Sequence, residues 1–277
     1  MMSLLPFHWH VVELVAVGAT LTLHVRIIRD PRRRRLGAFA LLSLLAVIIW
    51  PVGDLAASVS LTVATIQRLV IMLLVAPLLL LSLPLPLLAR LTSPRVVDAV
   101  VQRLVHPALA IAVVTLVGTL TLAAPVVDWA ANSMLARDLV LVLVLVLGFV
   151  LWMPALAIMP GTKHLSPIAR AAYIFVAALA VTSLSIVWIF ARHPLYPGLH
   201  HQHELIHMSA LLDQQVAGFV AKLGAYIPMW TVAFTIFSRA EERGDSVEET
   251  PLHWADVERE LLRSDRRKSR QDRRAQS

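Results

Sequence analysis

Histidine spacing gives the strongest chemical signal in this sequence. The chain has eleven histidines, and those near its start and between residues 193 and 207 fall on one predicted face of a membrane. They are His8, His10, His193, His200, His201, His203 and His207. His203 and His207 share a face if their segment is helical. Because imidazole is a common ligand of copper, zinc, iron and nickel, the pattern predicts a metal site; the alternative is an exposed polar loop whose histidines bind nothing specific.

Copper is the metal that the neighbouring residues favour. Met208 and Asp213 follow the histidine cluster, and a thioether suits copper in the +1 state. The chain has no cysteine, so no thiolate competes for the metal. We predict a copper site near Asp213 that is completed by His8 or His10 from the other end of the chain, with the main ligands His200, His201, His203 and His207. Such an ion would clamp the first helix to the last.

Three charged residues lie within apolar segments, where a charge is costly and marks a functional candidate. Glu13 lies one turn after His10 and shares its helix face. Arg68 and Lys222 each lie roughly ten residues from the outer end of a predicted helix, which is near the bilayer midplane at about 1.5 Å per residue. No acidic residue is predicted at that depth. We expect Arg68 to face the helix bundle. The alternatives are that the two cations snorkel to the membrane surface or bind backbone carbonyls, that one of them reaches Glu13, or that Lys222 is neutral.

The elements that position these residues are transmembrane helices. The chain is 58% hydrophobic, against roughly 45–50% apolar residues in soluble domains, and its mean hydropathy is +0.72. Its apolar runs are about 20 residues long, the length of a helix that crosses a bilayer. Residues 139–144 alternate between apolar residues only, which excludes a barrel strand with a polar face. We therefore predict an all-α polytopic membrane protein with seven spans, at about 9–28, 36–52, 58–83, 108–126, 138–158, 167–191 and 210–237.

The arginines between the first two spans set the predicted orientation. Six arginines lie between Arg26 and Arg35, and the positive-inside rule makes this loop cytoplasmic. The N-terminus is then outside and the C-terminus cytoplasmic. The formal net charge of +7 is explained by this topology, so we expect no nucleic-acid partner.

Residues 238–277 form a charged tail after the transmembrane domain of residues 1–237. Trp254, Val257 and Leu261 recur at helical spacing, which predicts a short amphipathic helix on anionic lipid; the alternative is a solvated tail. No glycine-rich phosphate loop, Gly-x-Ser-x-Gly or His-Glu-x-x-His motif occurs. We therefore expect a protein without enzymatic activity.

The segment from Asp213 to Gly218, Asp-Gln-Gln-Val-Ala-Gly, resembles the Asp-Gln-Gln-x-x-Gly signature of CtaG-type cytochrome c oxidase assembly factors. Asp213 and Gln214 stand in the first turn of the last predicted helix, where an aspartate can cap that helix. The resemblance covers roughly residues 40–238. Further segments resemble the family's marks: Trp50-Pro51, Val75-Ala76-Pro77, His106-Pro107, Gly148 to Trp152 with Pro154, and Pro194-Leu195-Tyr196.

This resemblance implies a bacterial inner-membrane protein that helps to assemble the copper-containing part of a respiratory oxidase, with oxidase subunits as partners. The chain departs from the family at positions where members often carry histidines: residues 65–70 in the third helix have none, and Asp138 and Leu141 stand near the matching positions of the fifth. Lys222 replaces a common tryptophan. We therefore expect an assembly factor that handles copper on the outer face; a transporter of metal or small anions is the alternative. A b-type cytochrome ranks last, because no helix carries a central histidine pair.

Overall fold

The computed structural model describes residues 9–162, 165–196 and 208–242. These residues contain helices and connecting turns, with no β-strand among them, which confirms the predicted all-α class. A π-helix, Val70–Val75, joins α4 to α5. The α-helices are α1 (Val11–Ile27), α2 (Pro31–Ile48), α3 (Val52–Ser58), α4 (Leu61–Leu69), α5 (Ala76–Ser82), α6 (Leu85–Leu91), α7 (Arg95–Leu104), α8 (Pro107–Leu120), α9 (Ala124–Asn132), α10 (Met134–Leu156), α11 (Pro167–Val181), α12 (Ser183–Phe190) and α13 (Ala210–Glu242).

Several helices of the described part could cross a membrane. Four stretches are long and apolar enough: Leu61–Ser82, Met134–Leu156, Pro167–Phe190 and Ala210–Glu242. The pairs α2 with α3, bent by 50°, and α7 with α8, bent by 95°, raise the number to six if each pair is one span. The protein is therefore polytopic. Helix α1, with 17 residues, lies at the first predicted span; seven crossings and their orientation stay predictions.

A proline explains how α2 is joined to the helices that follow. Pro51 has no N–H, so the carbonyl of Val47 loses its helical partner. Gln67 of α4 fills this gap by donating from Nε2 to the Val47 carbonyl at 2.7 Å. Gly53 lies against the carbonyl of Ile48, where a side chain would clash. The Trp50-Pro51 segment therefore redirects the chain into α3. The Val47 carbonyl that it leaves free is where the Gln67 side chain joins α4 to α2.

The π-helix leaves a second carbonyl to be satisfied by a side chain. The Ala76 N–H bonds the Ile71 carbonyl, and Pro77 has no N–H to offer, so the Met72 carbonyl has no backbone partner one turn ahead. Trp152 of α10 donates from Nε1 to the Met72 carbonyl at 2.9 Å. A Cβ on Gly148 would lie 2.7 Å from the Ala76 Cβ. Gly148 and Trp152 therefore fit α10 closely to the π-helix.

Helix α10 is the central helix of the core. It packs against the π-helix and against α5, α7, α8, α9 and α11. The chain divides into two compact units, Met1–Ile236 and Phe237–Ser277. Residues 243–277 lie outside the described residues, so the predicted domain boundary, the amphipathic helix and its contact with anionic lipid stay predictions.

Candidate functional site

Four charged or titratable side chains meet where α1, α3 and α10 begin. His10 Nδ1 lies 3.1 Å from Glu13 Oε1, as their predicted common face requires, and His10 Nε2 lies 3.4 Å from Asp54 Oδ1. Arg137 lies 3.5 Å from both Glu13 Oε1 and Asp54 Oδ1. We call His10, Glu13, Asp54 and Arg137 the ion cluster. His10, Asp54 and Arg137 are buried, so the cluster joins three helices through charges removed from water.

Local sequence explains how each helix brings its charge to the ion cluster. Glu13 lies in the first turn of α1, where the helix dipole favours a negative charge. The bend at Pro51 starts α3 and places Asp54 in its first turn. Ser133 caps α10 by accepting a hydrogen bond from the Ala136 N–H, so that helix begins just before Arg137. Two helix starts and one bend therefore set the cluster's geometry.

Asp213 binds the start of a different helix from its own. Its carboxylate accepts hydrogen bonds from Ser60 Oγ at 2.8 Å, the Leu61 N–H at 2.7 Å and the Thr62 N–H at 3.3 Å. Asp213 is buried. These donors belong to the N-terminal end of α4, whose free amides need acceptors. The predicted capping of the last helix by Asp213 is therefore wrong: Asp213 caps α4, while Ser209 accepts from the Leu212 N–H of α13.

The rest of the signature holds α13 against α12 and the segment that follows it. Gln214 Oε1 accepts from the Leu195 N–H at 2.7 Å, and Gln215 Nε2 donates to the Ala191 carbonyl at 3.2 Å. A Cβ on Gly218 would lie 2.8 Å from Ile189 Cγ1. We call Asp213, Gln214, Gln215 and Gly218 the signature clamp. It joins α13 to α4 and to the end of α12.

Tyr196 extends the signature clamp toward α8. Its hydroxyl accepts from Trp188 Nε1 at 3.0 Å and donates to the Leu122 carbonyl at 2.8 Å. Burial raises the pKa of Tyr196, so the hydroxyl keeps the proton that it donates. The Pro194-Leu195-Tyr196 segment thus carries two contacts, one through the Leu195 amide and one through this phenol.

Arg68 contacts α8 from within the bundle. Its Nη2 donates to Thr121 Oγ1 at 2.6 Å and lies 3.4 Å from the Gly118 carbonyl. Thr121 Oγ1 in turn donates to Gly118 O at 2.7 Å. Among the described residues, the hydrogen-bond partners of Arg68 are neutral. Arg68 lines two cavities, of about 90 Å³ and about 80 Å³.

Lys222 lies over an aromatic ring of its own helix. Its Nζ is 4.9 Å from the centroid of the Tyr226 ring, within range of a cation–π interaction. Tyr226 stacks on Trp230, and Trp230 stacks on Phe175 of α11. The face of the Tyr226 ring therefore attracts the Lys222 ammonium group, although the surroundings are apolar. A functional role for Lys222 stays a prediction.

The described candidates for copper ligands are engaged in other contacts. The two ring nitrogens of His10 face two different carboxylates, with Arg137 in the same cluster, and a guanidinium repels a metal cation. The Asp213 carboxylate accepts hydrogen bonds from the N-terminal end of α4. In residues 9–162, 165–196 and 208–242, no group of three or more His, Asp and Glu side chains is placed to hold a metal ion. The remaining predicted ligands, His8, His200, His201, His203 and His207, lie outside the described residues.

Sequence reasoning missed two members of the ion cluster, Asp54 and Arg137. Each has a feature in the sequence that could have marked it as a candidate. Arg137 is one of two basic residues in the predicted outer loops, the other being Arg192, and Asp54 directly follows the helix break at Pro51. The alternative that Arg68 or Lys222 reaches Glu13 is wrong, because Arg137 makes that contact.

A comparison with protein families identifies a match that covers most of the chain. The model of the family described as cytochrome c oxidase caa3 assembly factor (Caa3_CtaG) matches residues 16–242. Comparison with curated proteins and with solved structures gave no significant match. The family match includes α13 with its signature clamp, the Trp50-Pro51 bend and the contact of Gly148 and Trp152 with the π-helix. The chain therefore belongs to the cytochrome c oxidase caa3 assembly factor family.

Proposed function

We propose that this protein is a non-enzymatic membrane assembly factor for a respiratory cytochrome c oxidase and that it acts in a bacterial inner membrane, with oxidase subunits as partners. The family match over residues 16–242 carries this proposal. The geometry supports it, because the residues that resemble the family's marks join helices to one another.

The finer part of the proposal is that the protein handles copper on the outer face. Its support is the sequence spacing of His200, His201, His203 and His207, together with His8 in the sequence just before the first predicted span. His10 and Asp213 do not fit a copper site in the geometry described above, so the loop histidines would have to supply the ligands. The transporter alternative gains no support, since Arg68 bonds to α8 and Lys222 lies over Tyr226.

Deletion of the gene tests the assembly role. We expect membranes of the deletion strain to contain less active oxidase, with its heme retained and its copper content lowered, and we expect the full-length gene to restore both. Normal oxidase activity and copper content in the deletion strain at limiting copper would contradict the proposal.

A copper measurement separates the metal proposal from the assembly proposal. The purified protein in detergent is compared with the His200/His201/His203/His207→Ala variant for copper bound per chain and for oxidase maturation in cells. We expect the variant to lose copper and to mature less oxidase at limiting copper. Unchanged copper binding would refute the metal role and leave the assembly role standing.

Reporter fusions test the proposed orientation. A reporter that is active only in the cytoplasm should be active after Arg34, Ser93, Lys163 or Ser264, and silent after Ala56, Asn132 or Leu199. Activity after Leu199 would place the histidine-rich loop in the cytoplasm and would contradict copper handling on the outer face.

A further inference from the structure

A cavity of about 80 Å³ lies between Arg68 of α4 and Arg137 of α10. These two arginines are the ionisable side chains that line it, and no described carboxylate does. Residues from α3 and α9 complete its walls. Its described lining therefore contains two guanidinium groups and no carboxylate.

The two arginines differ in how their charge is balanced. Arg137 is paired with Glu13 and Asp54. His10 also contacts both of these carboxylates. Arg68 bonds to Thr121 and lies near the Gly118 carbonyl, and no carboxylate among the described residues lies within 4.0 Å of it. Arg68 is partly buried, and charges attract more strongly in a protein interior than in water. The surroundings of Arg68 thus favour a negative ion.

The size of the cavity limits which ion can enter. Small side chains make room in its wall: Ala56, Ala57, Ala64 and Ala130. The volume of about 80 Å³ exceeds the roughly 10–15 Å³ that one water needs, but it is well below the roughly 300–1,000 Å³ of pockets for drug-sized ligands. Phosphorylated metabolites and peptides are too large.

We propose that this cavity binds one small monovalent anion, of the size of chloride or formate, held by the Arg68 guanidinium. The planar fork of N–H donors on Arg68 suits such an anion. Thr121 holds one of these nitrogens in position, and Arg137, although paired with Glu13 and Asp54, also lines the cavity. This binding is independent of oxidase assembly and of copper.

Chloride binding to the full-length protein in nonionic detergent tests the proposal. Radiolabelled chloride is titrated at constant ionic strength with gluconate, which is too large for the cavity, as the background anion. We expect saturable binding of one chloride per chain and a thermal unfolding midpoint that rises with chloride, since a ligand that binds only the folded state stabilises it. Formate should compete with chloride.

Three variants locate the binding. Arg68→Gln should weaken chloride binding at least tenfold, while Lys222→Gln, which removes another cation of an apolar helix that does not line the cavity, should leave it unchanged. Ala130→Leu keeps both arginines and fills the cavity, so it should also lose binding; it decides the matter if Arg68→Gln fails to fold. The absence of saturable binding to the wild type would show that the cavity holds only water and overturn the proposal. Equal binding by wild type and either cavity variant would overturn it too.

Discussion

Two buried aspartates hold the protein together by different physical means. Asp213, in the signature clamp, accepts hydrogen bonds from three neutral donors at 2.7–3.3 Å. Asp54, in the ion cluster, lies 3.4 Å from His10 Nε2 and 3.5 Å from Arg137 Nη1. Asp213 therefore acts through short hydrogen bonds to the start of a helix, whereas the contacts of Asp54 include charged or titratable side chains of two other helices.

The difference determines what each region can tolerate. A hydrogen-bonded cap needs oxygen atoms in the right places, whereas an ion cluster needs its charges to balance. Glu13 and Asp54 oppose Arg137 in charge, so the loss of one charged member changes the balance for the others. Substitutions that keep shape but change charge should therefore separate the two regions.

Asp213→Ala should have the largest effect. It leaves the Ser60 hydroxyl and the Leu61 and Thr62 amides without their acceptor, and unsatisfied buried groups cost about 1–3 kcal/mol each. We expect a loss of about 3–5 kcal/mol in the free energy of unfolding, measured by denaturant titration in mixed micelles. Asp213→Asn keeps one acceptor oxygen and should lose less, about 1–3 kcal/mol. Equal losses in the two variants would show that charge, and not acceptor geometry, dominates here.

Asp54→Asn should have the next largest effect. It keeps the shape of the side chain but leaves Arg137 with Glu13 as its carboxylate partner, and breaking a buried ion pair costs about 3–5 kcal/mol when no other partner remains. Because Glu13 remains, we expect a loss of about 2–4 kcal/mol in the same titration. The Asp54→Asn/Arg137→Gln double variant should lose less than the sum of the single variants. Additive losses would contradict an ion cluster.

Gly218→Ala tests the packing part of the signature clamp. The new Cβ would lie 2.8 Å from Ile189 Cγ1 and 2.9 Å from the Ser185 carbonyl, so α13 and α12 must separate. We expect a loss of about 1–3 kcal/mol in unfolding free energy. Gly18→Ala is the matched control, because nothing lies within 4 Å of that Cβ and alanine favours a helix by up to about 1 kcal/mol. A Gly218→Ala variant as stable as the Gly18→Ala control would contradict close packing at this site.

Trp152→Phe should have the smallest effect and measures one neutral hydrogen bond. It keeps an aromatic ring in the core but removes the donor to the Met72 carbonyl. We expect a loss of about 1–2 kcal/mol, because one buried carbonyl is left without its donor, read by the same titration. Trp129→Phe, at an exposed position, should lose less. Comparing the losses in unfolding free energy of Trp152→Phe and Asp213→Asn then shows how much more the cap of α4 contributes to stability than a single hydrogen bond does.

The long apolar helices could be predicted from the sequence, but the short helices and the π-helix that connect them could not. Runs of apolar residues mark where a helix can cross a bilayer, and the predicted third span at 58–83 agrees with the observed stretch Leu61–Ser82. The short helices α6, α7 and α9 were missed, because each is too short to give a transmembrane signal. The π-helix was also missed, since it depends on Pro77 and on the packing of Gly148 against Ala76.

The candidate site was predictable only within one helix. The contact between His10 and Glu13 follows from helical spacing, so it could be predicted. The contacts of Arg137 with Glu13 and of Asp213 with α4 join residues 124 and more than 150 positions apart. Spacing along the chain says nothing about such pairs. They depend on which helices are neighbours, and no local pattern contains that information.

The π-helix makes the number of residues between α4 and α5 a determinant of the fold. Deleting one residue from the π-helix would allow an uninterrupted α-helix and rotate α5 by about 100° relative to α4, the angle of one residue in a helix with 3.6 residues per turn. Ala76 would then turn away from Gly148, while Gln67 and Arg68 kept their neighbours. We expect natural variants of this segment to arise by substitution and not by insertion or deletion, because a change of one residue in length would move every side chain of α5 to a different face of the helix.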